Sequence, residues 1–144
     1  ISIVQSDQEP YAQVGRPIIQ QVRLIEQDDA RRVTIELRSP NGMVKGAYKM
    51  LNGESEMQAG CLALIDAIER LIGRQQILRY GDAKAVALQE RQLGVVLVTW
   101  HGSRADESFT GSAFADNGLA AAAARATLDA VNRKLVRLPI MVDD

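Results

Sequence analysis

The sequence predicts an α+β domain of two strand-strand-strand-helix units related by an internal pseudo-twofold axis. Three observations carry that expectation. The segment Ala63–Arg70 (Ala-Leu-Ile-Asp-Ala-Ile-Glu-Arg) reads without a gap against Ala126–Arg133 (Ala-Thr-Leu-Asp-Ala-Val-Asn-Arg), and the same offset sets Val33–Leu37 against Val96–Trp100. In each half, strand-like runs lead into one stretch of helical period. Three antiparallel strands under a single helix leave much apolar surface bare, so two such units gain by joining.

The 144 residues suit one compact domain, and an apolar fraction of 47% is ample for its core. Residues 1–16, with Pro10 and Gly15 but no clear period, read as an arm or linker. Residues 17–137 form the domain, as unit one (17–73) and unit two (74–137), and 138–144 form a tail. Unit one opens with a strand over Ile18–Ile25, stopped by Gln27-Asp28-Asp29. Val33, Ile35 and Leu37 alternate with Thr34, Glu36 and Arg38, which makes a second strand with one buried and one wet face. Ser39-Pro40-Asn41-Gly42 carries the residues of a tight reversal, so Met43–Met50 is the return strand. A helix follows over Glu56–Ile72, closed by Gly73; Cys61, Leu64, Ile65, Ile68, Leu71 and Ile72 mark its apolar stripe, while Asp66, Glu69 and Arg70 fall largely opposite. Unit two repeats the order, with strands over Gln76–Leu88, Gly94–His101 and Ala105–Ser112 and a helix over Asn117–Leu135. Asp116, Asn117 and Gly118 suit either acceptance of helix amides or a tight entry turn. The five alanines Ala120–Ala124 fit a close backbone approach or simple helix propensity.

Chemistry is scarce. Seventeen basic residues nearly cancel eighteen acidic ones, which removes the net field that would draw the chain to nucleic acid or anionic lipid. The single cysteine, Cys61, excludes an intrachain disulfide and sits within a helical run as a packing residue. His101, the only histidine, reads as a surface turn residue rather than a base. No phosphate-cradling glycine loop and no Cys-x-x-Cys metal pattern occurs, so no cofactor and no metal are expected. Asp66 and Asp129 match across the repeat, with Arg70 and Arg133 four residues on as ion-pair partners on a solvated face. No apolar run reaches the ~20 residues of a membrane span and the start is unlike a signal peptide, so a cytoplasmic protein is expected, away from membranes. The chain begins without methionine, which suggests a piece of something longer.

Unit two resembles the C-terminal regulatory domain of the 2-isopropylmalate synthase and citramalate synthase family. The residues that carry the likeness are Ile77-Leu78-Arg79-Tyr80, Leu93-Gly94-Val95-Val96-Leu97-Val98, Phe109-Thr110-Gly111 and Ala124–Arg133, in the family's order. In unit one the Val33–Leu37 strand, Gly46-Ala47 and Ala67–Arg70 fit more thinly. The resemblance implies a non-catalytic module that dimerises and binds a branched-chain amino acid, leucine first, for feedback inhibition of leucine biosynthesis. The condensation of acetyl-CoA with a 2-oxo acid belongs, in that family, to a separate barrel in a linked or partner synthase. The implied effector site lies at the turns before the two helices: Asn52, Gly53 and Glu54 in unit one, with Gly111, Ser112, Ala113, Asp116, Asn117 and Ala120 in unit two. The chain departs from the family at both turns, with Asn52-Gly53-Glu54-Ser55 for Gly-Asp-Gly-Pro and Gly111-Ser112-Ala113 for Gly-x-Gly. Those departures support an alternative, a dimerisation or interaction module of the same fold that has lost its effector.

Overall fold

The computed structural model describes residues 16–40 and 42–137. The expected arm, Arg16 excepted, the expected tail and Asn41 lie outside the described residues. The elements run β1 (Ile18–Gln27), β2 (Ala30–Ser39), β3 (Gly42–Lys49), α1 (Glu56–Ile72), β4 (Leu78–Leu88), β5 (Arg91–His101), β6 (Asp106–Phe114) and α2 (Leu119–Arg137). They form two antiparallel sheets, β1-β2-β3 and β4-β5-β6, each followed by its helix. This is the doubled βββα architecture that the repeat predicts.

Local chemistry explains the boundaries. Asp28 and Asp29 stand at φ 51° and 63° between the paired residues Gln27 and Ala30, so two short polar side chains supply the left-handed backbone of a tight hairpin. Ser55 caps α1, its hydroxyl accepting from the Gln58 amide at 3.1 Å. Gly73 ends the helix at φ 81° with its amide on the Glu69 carbonyl. Each first strand carries a bulge, at Gln20 in unit one and Gly81 in unit two.

The bulges correct the repeat. Gln20 and Gly81 are 61 residues apart, the packing glycines Gly46 and Gly111 of the third strands 65, and their helix contacts Ala63 and Ala126 63. In the fold Val33 therefore matches Gly94, not Val96. The gap-free reading lands on the right face because its error is an even number of residues, which leaves inward side chains inward. The excess comes from the β5–β6 hairpin, where Val98 pairs Phe109, 11 positions on, while Leu37 of the β2–β3 hairpin pairs Val44, 7 positions on, and part of it is returned before α2.

The core lies between the sheets' inner faces and the helix pair. Val33, Ile35 and Leu37 of β2 and Val96, Val98 and Trp100 of β5 are buried. Each helix covers its own sheet and touches the first strand of the other, α1 on β4 and α2 on β1. The helices meet at Gly60, where any Cβ would collide with the Ala120 carbonyl of α2. Ala120–Ala124 are all buried, so close approach is what the alanine run serves. Cys61 is a core residue, as its spacing suggests, and burial pushes its thiol up to about 11.

Candidate functional site

The turn before α1 is a closed network. Gly53 adopts φ 87°, which lets the chain fold back so that the Glu54 carboxylate serves three donors. Its Oε1 accepts from the Leu51 amide at 2.6 Å, and its Oε2 accepts from the Tyr48 hydroxyl at 2.7 Å and the Gln58 side-chain amide at 3.1 Å. The hydrogen bond to Glu54 raises the Tyr48 hydroxyl above its ordinary value, with burial and the carboxylate's charge adding in the same direction. Asn52 and Gly53 lie on the exposed rim of this turn.

The turn before α2 is built differently. Asp116 receives the Arg91 guanidinium at 2.9 Å, and the same guanidinium lies 3.5 Å from the centre of the Phe114 ring. Gly118 takes φ 103° and its carbonyl accepts from the Ala122 amide, so of the two roles open to this segment the tight entry turn is the one realised. Among the described residues no side chain bonds the amides of Leu119, Ala120 or Ala121. The start of α2 is thus bare where the start of α1 is capped.

Gly111 and Ser112 lie in β6, as the expected strand Ala105–Ser112 has them, and Ala113 joins them because the strand runs two residues beyond that expected end, so none of the three belongs to the turn before α2. A Cβ on Gly111 would collide with the Ala126 carbonyl, so this glycine exists to seat α2 on its sheet. Gly46 does the same for α1, where a Cβ would stand 2.5 Å from the Ala63 carbonyl. The fold still brings the two helix starts together: Gly60 abuts Ala120, and Met57 and Ala122 both pack on Gly94. Ala120 sits at that meeting point, beside the bare amides.

The matched aspartates are tethers rather than occupants of a merely solvated face. Asp66 accepts from the Ala47 amide of β3 at 2.9 Å, and Asp129 accepts from the Ser112 amide of β6 at 3.3 Å. The edge strand of each sheet presents an otherwise free amide there, and a carboxylate mid-helix fills it. The Asp66–Arg70 ion pair forms at 3.1 Å, whereas no Asp129–Arg133 pair occurs among the described residues. Glu69, which sequence reasoning left on the polar face, accepts from the Ile77 and Leu78 amides and fastens the end of α1 to β4. The repeat itself was the available signal for the aspartates; Glu69 had none, since its match is Asn132.

His101 closes the end of β5 against β6, its Nδ1 2.7 Å from Asp106. Beside it opens a cleft of about 700 Å³ bordered by Arg74, Gln76, Trp100, Ser103 and Lys134. Lys134 is held by Glu107 at 2.8 Å, with its ammonium 5.8 Å from the centre of the Trp100 ring. Neither this cleft nor the hollows on the outer faces of the two sheets include any of the nine residues expected at the effector site. Among the described residues no three His, Cys, Asp or Glu side chains gather as a metal site requires, and no helix is long and apolar enough to cross a membrane. No family model matches the chain, and neither a curated protein nor a solved structure matches it.

Proposed function

We propose that this chain is a non-catalytic regulatory module like that of the 2-isopropylmalate synthases, and that its effector is a branched-chain amino acid, leucine first. The observation that carries this reading is the bare start of α2 beside the second turn of α1. Three backbone amides and the positive end of a helix dipole suit the carboxylate of an amino acid. The small residues Gly60 and Ala120 and the apolar Met57 surround that end, a fitting environment for an aliphatic side chain. Asp116, three residues before the helix, offers a carboxylate to the ammonium group in place of Arg91. The regulatory effect follows if the effector favours one arrangement of a linked or partner synthase, since only differential affinity shifts a conformational equilibrium.

Thermal unfolding with leucine, isoleucine and valine tests the proposal. At a hundredfold excess over its dissociation constant, an effector bound only by the folded chain adds about 2.7 kcal/mol. That corresponds to a rise in Tm of roughly 5–10 °C for a chain of this size. A rise with one of the three amino acids supports the reading, and no rise with any of them refutes it.

A second reading is an association module without effector, acting through copies of the chain. It is favoured by the loss of two expected ligands: Glu54 is fully engaged and Gly111 is covered by α2. The surface available to it is the outer face of the second sheet, where Val86, Leu93, Val95, Leu97 and Phe114 stand in adjacent rows.

A further inference from the structure

The outer face of the first sheet carries a charge pattern that neither the fold nor the effector reading uses. Strand pairing sets four rows across it: Ile18–Arg38–Met43, Gln21–Glu36–Lys45, Arg23–Thr34–Ala47 and Ile25–Arg32–Lys49. Arg23, Arg32, Arg38, Lys45 and Lys49 are all exposed, and among the described residues of these rows Glu36 is the one carboxylate. The whole chain has a net charge of −1, so the excess of cations on this face is a local one. Among the described residues none of the five enters an ion pair, although Lys45 stands directly opposite Glu36.

The second unit provides an internal control. The matching rows there are Arg79–Thr99–Ser108, Asp82–Leu97–Thr110, Lys84–Val95–Ser112 and Val86–Leu93–Phe114. The same backbone thus tolerates leucine, threonine and phenylalanine where unit one has Arg32, Arg38, Lys45 and Lys49. Folding does not demand the cations, and placing like charges a few ångströms apart on a sheet opposes it.

We propose that the outer face of β1-β2-β3 is a docking surface for an acidic polypeptide segment bearing aliphatic side chains. Complementarity of charge argues for the acidic character. The aliphatic character follows from Ile18, Ile25 and Met43, which are 58%, 38% and 45% exposed among the cations. A hollow of about 380 Å³, bordered by Ile25 and the cations Arg23, Lys45 and Arg70 with Glu36 and Asp66 as its carboxylates, gives one such aliphatic side chain a seat. A single-stranded nucleic acid fits less well, because the described residues of these rows include no aromatic ring on which a base would stack. The inference stands apart from the effector reading, since the sites share no residue.

A random library of displayed dodecapeptides, selected on the full chain, tests it. Selected peptides are expected to be enriched in Asp and Glu together with Leu, Ile or Val. Synthetic copies should lose at least tenfold in affinity to the Arg32→Glu/Lys49→Glu variant, and to the milder Arg32→Gln/Lys49→Gln variant should either fail to fold. Lys84→Glu, on the matching face of the other sheet, should leave binding unchanged. Enrichment without acidic residues, no enrichment, or equal binding to all variants overturns the proposal. So does tighter binding of a 20-nucleotide oligouridylate that the same variants abolish, which would make the face a phosphate reader.

Discussion

At the scale of single residues, glycines and carboxylates hold the molecule together. Gly46 and Gly111 let each helix lie on the backbone of its third strand, and Asp66 and Asp129 secure the neighbouring amide. Gly111→Ala should therefore cost at least 1–3 kcal/mol, the usual penalty of overpacking, and urea denaturation will measure it. Asp66→Ala should cost about 1–2 kcal/mol through the loss of a charge-assisted bond to Ala47 and of the Arg70 pair. Cys61 gives a pH signature. Its thiol is raised from 9.0 to about 11, mainly by burial, with the neighbouring Thr127 side chain acting in the opposite direction, so the fold favours the neutral form. The resulting stability is fully present below pH 9 and is lost as the pH rises towards 11, by about 2–3 kcal/mol in all. Unfolding curves at pH 8, 10 and 11 should show that decline in the native chain and a shallower one in Cys61→Ala.

At the scale of elements, periodicity made the two helices legible, because the stripe from Cys61 to Ile72 and the repeated Ala-x-x-Asp-Ala pattern have no other regular reading. The alternation in Val33–Leu37 likewise fixed β2. The ends of strands were less visible. β6 runs on through Ala113 because β5 pairs with it as far as Leu93 and Phe114, a tertiary choice that local sequence does not announce. The resemblance alone places Gly111 at a turn, and the structure makes it a packing residue within the strand. The effector positions were legible only through resemblance, and the structure divides them: Glu54 engaged, Asp116 ion-paired, Ala120 at the helix crossing. Asp28-Asp29 is a hairpin whose left-handed backbone aspartate tolerates and glycine adopts at still lower cost. Asp29→Gly should relieve about 1 kcal/mol and raise Tm by roughly 2–4 °C, readable by calorimetry.

At the scale of the whole molecule, one fold has been given three different surfaces. The helix crossing brings a bare helix start against small residues, the second sheet exposes an aliphatic outer face, and the first exposes a cationic one. If copies associate through the aliphatic face, Leu97→Lys with Val86→Lys should shift sedimentation towards the monomer while leaving unfolding nearly unchanged. Both side chains are already partly exposed, at 39% and 42%. The central claim concerns the start of α2, and the amide ¹⁵N–¹H resonances of Leu119, Ala120 and Ala121 report on it directly during a leucine titration. Leucine binding there should shift these three amides downfield and saturably, further than any at the capped start of α1. Unmoved resonances at millimolar leucine, isoleucine and valine would contradict it.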